Sequence, residues 1–325
     1  MKILFTCVGR RVELIQAFRN AAKKLGENLT IIGADAEKSA PALWFCDKSE
    51  IVCKISDNNY IPMLISVCER EHVDCLIPTI DTDLLVLAEN KHLFEKIGTK
   101  VLISSLDKVK ICRDKNYTSH YFTSLGLNSP LSVNSIEKYK MEFENGTVGF
   151  PAFIKPKDGS SSINAYKADD IDKLKFYAER IDDYIIQPFI SGKEYTVDIF
   201  CDYNGKPVFI TPRERMSVRS GEVLKACIKQ DETIIAEMKT LIADYKPCGQ
   251  ITVQLIKQDN TDKNYYIEIN PRFGGGAPLS IKAGADSAEG VIRMLNGETL
   301  DYVKNAAKDG AIYYRFDQSI CVNED

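Results

Sequence analysis

The sequence predicts two kinds of fold in one chain: a doubly wound α/β domain with a parallel sheet, followed by an α+β region with antiparallel sheets. Over the first hundred residues, short apolar runs alternate with amphipathic stretches, and the connections are short, as in a parallel sheet covered on both faces. After residue 108 the strand patterns follow one another more directly, which is typical of antiparallel pairing. A length of 325 residues also fits about two domains, because single cores stop growing near ~250–300 residues.

The first domain is expected to contain five strands and three helices. The strands are predicted at residues 3–6, 29–34, 50–53, 73–77 and 101–104. The helices are predicted at residues 11–25, 61–71 and 84–94, and Gly26 stands where a helix C-cap belongs. Since crossovers between parallel strands are right-handed, these helices should cover both faces of the sheet.

The second region is expected to be richer in strands. Helices are predicted at residues 114–125, 170–181 and 233–245, and strands at residues 151–155, 184–189, 194–202, 207–213 and 222–228. A hairpin should join residues 249–257 to 265–270 through a polar turn. The loosely patterned residues 134–149 are expected to form a flexible connector, and the arginine-rich residues 211–221 a basic loop between two strands.

Composition argues against several functional classes. The chain has 42 Lys and Arg residues against 46 Asp and Glu, and this net charge of −4 is unlike that of a nucleic-acid-coating protein. No apolar run approaches the ~18 residues of a membrane helix, and the N-terminus lacks a signal-peptide pattern. The ten cysteines form no C-x-x-C pair and the three histidines are far apart, which argues against zinc and haem sites. We expect a cytoplasmic protein with reduced thiols and no nucleic-acid or membrane partner.

The C-terminal hairpin carries the strongest chemical signal. Gln254 lies in the middle of an apolar strand, and Glu268 and Asn270 alternate with isoleucines at positions 267 and 269. Because side chains alternate along a strand, the polar trio should share one face and the isoleucines the core face. One carboxylate and two amide oxygens suit Mg²⁺, which prefers oxygen ligands. The alternative is the plain alternation of an exposed sheet face, but Arg272 and the glycines at 274–276 favour a phosphate site.

Two further segments are suited to a nucleotide. Lys155 ends a predicted strand before the small-residue loop 156–162, where an ammonium and backbone N–H groups can surround phosphates. The loop is not a Walker A motif, since G-x-x-x-x-G-K-[S/T] is absent from the chain. Residues 187–195 are predicted to form a strand, a hinge and a second strand, and the hinge could offer an edge to adenine. Taken singly, both segments are also typical of ordinary turns.

The order of these motifs resembles the ATP-grasp superfamily. A lysine before a small-residue loop is followed by a hinge with an acid, and then by a V-Q strand and I-E-I-N-P-R at residues 267–272. The motifs are most similar to the carbamoyl-phosphate-synthase-like branch, here as a single stand-alone unit, over roughly residues 104–300. The resemblance implies a pre-ATP-grasp domain at residues 1–111, a small lid lobe at 112–186 and a C-terminal lobe with the metal site at 187–325.

The resemblance also implies nucleotide ligands. The matching positions are Lys115, Lys155, Ser160, Ser161, Gln187, Phe189, Ile190 and Glu194. The two lysines would meet the phosphates of ATP, Gln187 and the hinge backbone the adenine, and Glu194 the ribose. Serines stand at positions 160–162, where family members are richer in glycine. Serine hydroxyls can also bind phosphate.

The metal ligands follow from the same resemblance. Gln254, Glu268 and Asn270 would hold two Mg²⁺ or Mn²⁺ ions, and Arg272 would stabilise the transferring phosphoryl group. Gln254 replaces an acid that is common in other branches, which leaves fewer negative charges on the metals.

The chemistry that this resemblance implies is carboxylate activation. ATP would convert a small-molecule acid to an acyl phosphate, and an amine or similar nucleophile would then displace phosphate, with release of ADP. Two alternatives stay open: phosphorylation of bicarbonate or carbamate, and a non-catalytic nucleotide-binding module. A dinucleotide oxidoreductase is disfavoured because G-x-G-x-x-G does not follow the first strand. If the chain self-associates, a homodimer is the expected assembly.

Candidate substrate residues lie outside the nucleotide set. Arg213, Arg215 and Arg219 fall in the predicted basic loop, and the resemblance places this stretch near the phosphates, so that Arg219 or Arg213 would bind the substrate carboxylate. In the first domain, Arg10 and Asp81 follow predicted strands. Ligands bind at the carboxyl ends of strands in open α/β sheets. We therefore expect a polar or anionic substrate to span these two residues and the C-terminal glycines.

Overall fold

The computed structural model describes residues 1–157, 164–261 and 263–322 of the chain. The first five strands are β1 (Lys2–Thr6), β2 (Thr30–Asp35), β3 (Lys48–Ile51), β4 (Cys75–Pro78) and β5 (Lys100–Val101). They form one parallel sheet in the order β3-β2-β1-β4-β5. The helices around it are α1 (Val12–Leu25), α2 (Tyr60–Glu71) and α3 (Asp81–Lys96), with a short 3₁₀ helix at Pro41–Phe45. The predicted parallel-sheet domain is confirmed.

Strands β3 and β5 differ most from the predicted ranges. Strand β3 begins before residue 50 because Asp47 already pairs with Ile31: its N–H donates to the carbonyl of Ile31, and its carboxylate accepts from the N–H of Ile31, both at 2.8 Å. Strand β5 ends at Val101 because the chain turns there, and the N–H of Ile103 donates to the carbonyl of Val101. Local hydrogen bonds, which the apolar pattern does not reveal, set both boundaries.

Helices α4 (Leu106–Arg113) and α5 (Lys115–Ser124) lead into a small lobe. Its elements are α6 (Ile136–Glu144), β6 (Ala152–Pro156), β7 (Tyr166–Ala168), α7 (Ile171–Ala178) and β8 (Tyr184–Pro188). The strands form an antiparallel sheet in the order β7-β6-β8. The flexible connector predicted at residues 134–149 was wrong, because α6 occupies it. Ser135 caps that helix by accepting from the N–H of Lys138, and the buried Tyr139 donates its hydroxyl to the carbonyl of Gly149 at 2.6 Å.

The remaining elements build a large lobe. They are β9 (Gly192–Cys201), β10 (Pro207–Arg219), β11 (Glu222–Ile228), α8 (Glu232–Tyr245), β12 (Gly249–Gln258), β13 (Asn264–Asn270), α9 (Ala277–Lys282), α10 (Ser287–Leu295) and β14 (Ile312–Tyr314). The strands form one antiparallel sheet in the order β13-β12-β9-β10-β11-β14. Helix α8 packs Ile234, Met238 and Ile242 against the apolar face of this sheet. The basic loop predicted at residues 211–221 was wrong, since β10 continues to Arg219 and turns directly into β11.

The first domain and the large lobe share one hydrophobic core. Residues of β1 and α1 cluster with residues of β9 and α10, and the ring of Phe18 contacts the ring of Phe273 with centroids 5.7 Å apart. This packing holds the carboxyl ends of β1 and β4 beside the turn that follows β13. No helix in the described part of the chain is long and apolar enough to cross a membrane.

Candidate active site

One face of the large sheet carries a ladder of polar side chains. Gln254 of β12 lies directly opposite Glu268 of β13. Asn270 follows two residues later, on the same face of β13. Val253 and Ile269 point to the other face and are buried in the core beneath α8. The predicted polar trio therefore lies together, as the alternation indicated.

A β-bulge interrupts this ladder. Glu268 pairs with Gln254, but the next pair along the strands is Tyr266 with Leu255, so that Ile267 is the extra residue. The prediction placed Ile267 on the core face, and this was wrong. Ile267 is half-buried and lines the cleft above the sheet, because the bulge changes the direction of its side chain.

The three polar side chains meet at a single oxygen. Oε1 of Glu268 accepts hydrogen bonds from Nε2 of Gln254 at 2.5 Å and from Nδ2 of Asn270 at 2.9 Å. Within residues 1–157, 164–261 and 263–322, no group of three or more His, Cys, Asp or Glu side chains could hold a metal ion. A carboxylate beside two amides nevertheless offers the oxygen donors that Mg²⁺ takes, so the chemistry of this trio fits magnesium.

Two lysines of the small-lobe side face the trio across the cleft. Lys155 lies near the end of β6, where burial lowers the pKa of its ammonium to about 8; the carboxylate of Glu268 opposes the lowering and the charge of Lys115 adds to it. Lys115 begins α5 because Asp114 caps that helix, accepting hydrogen bonds from two backbone N–H groups of the first turn. Nζ of Lys115 donates to the carbonyl of Lys157 at 2.9 Å. Both lysines line the same cleft.

The hinge between β8 and β9 forms the opposite end of the cleft. Gln187 is buried at the end of β8, Phe189 is 37% exposed and Ile190 is half-buried. The backbone of Phe189 is predicted to face adenine, and its N–H donates to the carbonyl of Pro151 at 2.9 Å, at the edge of the small sheet. Glu194 stands exposed near the start of β9.

A cleft of about 390 Å³ brings these groups together. Its walls contain eight of the predicted residues: Lys115, Lys155, Gln187, Phe189, Ile190, Glu194, Gln254 and Glu268. A second cavity of about 170 Å³ adjoins it, because Lys115 and Glu268 line both, and Asn270 and Asp81 line the second cavity. The predicted phosphate ligands Ser160 and Ser161 lie outside the described residues.

Arg272 connects this site to the first domain. Its Nη2 donates to Oδ2 of Asp81 at 2.5 Å and lies 3.4 Å from Oδ1 of Asn270. Asp81 begins α3, just after the carboxyl end of β4. The ion pair therefore holds the guanidinium of Arg272 beside the polar trio.

The predicted substrate residues Arg10 and Arg219 meet at a carboxylate of the chain itself. Nη2 of Arg10 lies 3.3 Å from Oδ1 of Asp317, and Nη2 of Arg219 lies 2.8 Å from Oδ2 of the same side chain. All three side chains are more than half exposed, at 80%, 59% and 63% for Arg10, Arg219 and Asp317. Arginines from the two domains thus converge on one carboxylate at the protein surface.

Arg213 does not lie on the exposed loop that its sequence context predicts. It was expected on a basic loop as a substrate ligand, but its side chain is 2% exposed, and Nε and Nη2 donate to Oδ2 of Asp198 at 3.3 and 3.2 Å. Ser280 of α9 donates to the same oxygen at 2.6 Å. A Cβ on Gly276 would lie 2.6 Å from Nη2 of Arg213, so glycine lets the turn pass over the guanidinium. Because β10 continues past residue 213, Arg213 lies within the sheet and forms a buried ion pair with Asp198.

Two other arginines, Arg215 and Arg11, were given no role from the sequence. Arg215 lines the larger cleft and donates to Oε1 of Gln254 at 2.7 Å. Arg11 lies under Gly275, whose Cβ would fall 2.8 Å from its Nη1. Burial, with the nearby charge of Arg272, lowers the pKa of Arg11 to about 10. In the sequence, Arg213 and Arg215 are two positions apart and Arg10 and Arg11 are adjacent. Neither spacing predicts where each side chain packs.

Comparison with known protein families accounts for both parts of the chain. A family model described as "ATP-grasp domain" matches residues 112–276, and one described as "PylC-like, N-terminal domain" matches residues 3–102. The ATP-grasp match spans half of the chain, so the family predicted from the order of the motifs is confirmed.

Curated relatives include enzymes of two kinds. The chain is 26% identical over 285 residues to the carbamoyl phosphate synthase large chain of Haemophilus ducreyi. The match covers 79% of this chain and 26% of that protein. It is 29% identical over 212 residues to the D-alanine–D-alanine ligase of Francisella tularensis subsp. holarctica, covering 61% of this chain and 70% of the ligase. The chain thus spans about a quarter of the length of the synthase.

Solved structures with the same fold are more distant in sequence. The biotin carboxylase domain dimer of 2-oxoglutarate carboxylase from Hydrogenobacter thermophilus, in complex with MgADP, ADP and bicarbonate, superimposes with a TM-score of 0.74 at 15% identity, covering 95% of this chain and 73% of that one. N5-carboxyaminoimidazole synthetase from Staphylococcus aureus, complexed with ADP, superimposes with a TM-score of 0.71 at 16% identity. The match covers 93% of this chain and 78% of that one. These similarities confirm the predicted fold, a parallel-sheet domain followed by a two-lobed ATP-grasp fold.

Proposed function

We propose, from the premise that the chain belongs to the ATP-grasp family, that it is an ATP-dependent ligase. In this proposal the protein activates a carboxylate as an acyl phosphate and joins it to an amine or similar nucleophile, releasing ADP and phosphate. The observation that carries the proposal is the convergence, around two adjoining cavities, of two lysines, an apolar hinge and a trio of oxygen-bearing side chains. The names of two similar proteins, a ligase and a synthetase, support the same class of reaction.

ATP is the nucleotide proposed for the larger cleft. The side chains of Phe189 and Ile190 would contact the faces of the adenine, and Gln187 its polar edge. Glu194, at the exposed mouth of the hinge, would accept hydrogen bonds from the ribose hydroxyls. Lys155 would then meet the phosphates, and its lowered pKa supports this role, because a desolvated ammonium gains most from a bound anion.

The phosphoryl transfer would take place where the two cavities meet. Magnesium bound with ATP at Glu268 and Asn270 would neutralise charge on the phosphoryl group. Lys115 lines both cavities, so its ammonium would stay close to the phosphoryl group while this group moves from ATP to the acid. Arg272, held beside Asn270 by its ion pair, would stabilise the transferring group. The loose transition state of phosphoryl transfer needs positioning and charge more than covalent help.

The acid substrate is proposed to bind between the first domain and the large lobe. Arg10 and Arg219 support this, since they already share the carboxylate of Asp317. A small-molecule carboxylate could replace Asp317 between the same two guanidinium groups. Asp81, which lines the smaller cavity, is the proposed contact for the amine.

The proposal is tested by measuring ADP and phosphate release with a panel of amino acids, sugar acids and peptides, each with and without an amine. We expect release only when both an acid and a nucleophile are present, and hydroxylamine should trap the acyl phosphate as a hydroxamate. Turnover with bicarbonate alone would instead indicate carbamoyl-phosphate chemistry. Nucleotide binding without turnover under any condition would indicate a binding module. Glu268→Gln serves as the inactive control in each assay.

We also propose a division of the chain into three functional parts, a cellular location and an assembly. Residues 1–111, 112–186 and 187–325 would act as the substrate domain, the lid lobe and the metal-binding lobe. We also propose a cytoplasmic protein that works as a homodimer, an assembly named for the biotin carboxylase domain with the same fold. Light scattering of the purified chain would measure the mass directly, and a monomeric mass would contradict the dimer.

A further inference from the structure

The amide of Gln254 is held in a single orientation. Its Nε2 donates to Oε1 of Glu268 at 2.5 Å, and its Oε1 accepts from Nη1 of Arg215 at 2.7 Å. A carboxylate oxygen can only accept and a guanidinium can only donate, so exchanging the nitrogen and oxygen of the amide would break both hydrogen bonds. The oxygen of Gln254, which is the atom that a metal ion would need, therefore points at a fixed positive charge.

The other amide of the trio is held less firmly. Asn270 also donates to Glu268, but its Oδ1 is 3.4 Å from Nη2 of Arg272, which is long for a hydrogen bond. The same Nη2 lies only 2.5 Å from Oδ2 of Asp81. Asn270 can turn its oxygen toward a cation while Arg272 keeps its ion pair. The two amides therefore differ in how readily they can become ligands.

Arg215 is itself fixed in the wall of the nucleotide cleft. Its side chain is 9% exposed, and Nη2 donates to the carbonyl of Gly221 at 2.8 Å. Its Nε lies 3.8 Å from Oε2 of Glu194 and has no hydrogen-bond partner among the residues that the structure describes. A buried guanidinium with an unused donor, placed between the proposed ribose ligand and the polar trio, is suited to an anionic phosphate.

We propose that the guanidinium of Arg215 takes the place of one of the two metal ions that the family resemblance implies. A single Mg²⁺ ion, held by Glu268 and Asn270, then accompanies the nucleotide. This inference rests on the proposed function. A divalent cation at Gln254 would be repelled by the charge of Arg215, and the trio contains only one carboxylate to hold two such ions. A second metal ion would need a second carboxylate as a ligand. Arg215, paired with Gln254, supplies positive charge to the phosphates without one.

Native mass spectrometry of the full chain with Mn²⁺ and AMP-PNP counts the ions in each protein–nucleotide complex. For the wild-type protein at saturating metal we expect one Mn²⁺ per complex. Arg215→Met keeps much of the side-chain volume but removes the charge and the donors, so that the oxygen of Gln254 can turn toward a metal. This variant is expected to bind a second Mn²⁺. Arg293→Met, which removes a 40% exposed arginine of α10, is the matched control and should still bind one.

Two results would overturn the inference and leave the proposed function standing. One is a wild-type complex with two Mn²⁺ ions, and the other is an Arg215→Met complex that still holds one. Failure of AMP-PNP to bind the wild-type protein would be a different result. It would refute the proposed nucleotide site itself, and this inference with it.

A second pair of variants keeps the inference testable if Arg215→Met does not fold. If Gln254 is not a metal ligand, Gln254→Ala should leave the Kd for Mn²⁺ in the AMP-PNP complex within about threefold of wild type, whereas Asn270→Ala should raise it by about tenfold or more. An equal loss of affinity in the two variants would contradict the inference, because Gln254 would then contribute as a ligand does.

Discussion

The polar face of the large sheet differs between its two ends. At the end next to the first domain, guanidinium groups are ion-paired within the protein: Arg213 lies 3.2 Å from Asp198, and Arg272 lies 2.5 Å from Asp81. At the end next to the small lobe, Lys155 and Arg215 line an open cleft of about 390 Å³. The first end joins parts of the protein, and the second presents positive charge to a space large enough for a ligand.

The difference separates the charges that are paired within the fold from those that we propose bind a ligand. Arg213 is almost fully buried, and its partner is a buried carboxylate of the neighbouring strand. Lys155 is also desolvated, and its pKa falls to about 8 because the carboxylate of Glu268 offsets the burial only in part. A bound anionic ligand would supply the missing negative charge. The open end is therefore the one that we propose binds the nucleotide.

The largest effect is expected for Glu268→Gln. The change removes the one charged member of the polar trio, so ATP turnover should fall by roughly 10²–10³-fold or more, while far-UV circular dichroism stays unchanged. Glu298→Gln on the surface is the control and should keep full turnover. Turnover of Glu268→Gln comparable to wild type would contradict the assignment of the open end as the catalytic one.

Arg213→Met should act on stability and not on binding. It leaves the carboxylate of Asp198 buried without its partner, so the free energy of unfolding measured with urea should fall by about 3–5 kcal/mol. The double variant Arg213→Met, Asp198→Leu should recover part of this loss, because both charges are then gone. If instead the nucleotide affinity collapsed at unchanged stability, the distinction between the two ends would fail.

Lys155→Ala should weaken nucleotide binding without affecting the fold. A charge-assisted hydrogen bond to phosphate contributes about 1.5–3 kcal/mol, so the Kd for ADP measured by calorimetry should rise roughly 10–100-fold. Lys173→Ala, which removes a 53% exposed lysine of the same lobe, is the matched control. An ADP affinity of Lys155→Ala within about twofold of wild type would place the phosphates elsewhere.

The lowered pKa of Lys155 predicts how binding depends on pH. The ammonium carries its charge below about pH 8 and loses it above, because the pKa lies at about 8 and not at the ordinary value. Since phosphate favours the charged form, the affinity for ADP should be highest below pH 8 and fall by up to about tenfold per pH unit above it. Lys155→Arg stays charged at high pH and should flatten this profile. An identical slope in both proteins would exclude Lys155 as its cause.

The smallest effect is expected at the exposed arginine pair. Arg10→Ala should raise the KM for the acid substrate by at most about fivefold, because interactions at exposed charges are screened by solvent. The Kd for ADP should not change, since Arg10 is not among the residues that line the nucleotide cleft. A parallel loss of nucleotide affinity would show that the two binding regions are not separate.

The placement of the polar side chains at the open end could be predicted largely from sequence. Alternation along one hairpin places Gln254, Glu268 and Asn270 on one face, and this periodicity is a local property of extended chains. The bulge at Ile267 could not be predicted, because it depends on register with the neighbouring strand. The helix at Ile136–Glu144 was missed since it fully buries a single residue, Tyr139, and its other apolar side chains, Ile136, Met141 and Phe143, are half-buried or exposed.

The interdomain end was less accessible to sequence reasoning. Its contacts join side chains that are far apart in the sequence: Arg272 and Asp81 are separated by 191 positions, and Arg10 and Asp317 by 307. No local sequence pattern predicts such pairs. The different roles of Arg213 and Arg215 have the same origin. Both lie on β10, but Asp198 of β9 determines the role of the first and Gln254 of β12 that of the second. Neither partner could be assigned before the strand order was known.

A crystal structure of the protein with MgADP would show directly where the nucleotide and its metal ion bind. We expect the adenine at the hinge around Gln187 and Phe189, the phosphates beside Lys155, and magnesium on the carboxylate of Glu268. Nucleotide density outside the cleft, or a cleft with nucleotide whose metal is bound away from Glu268, would contradict this expectation.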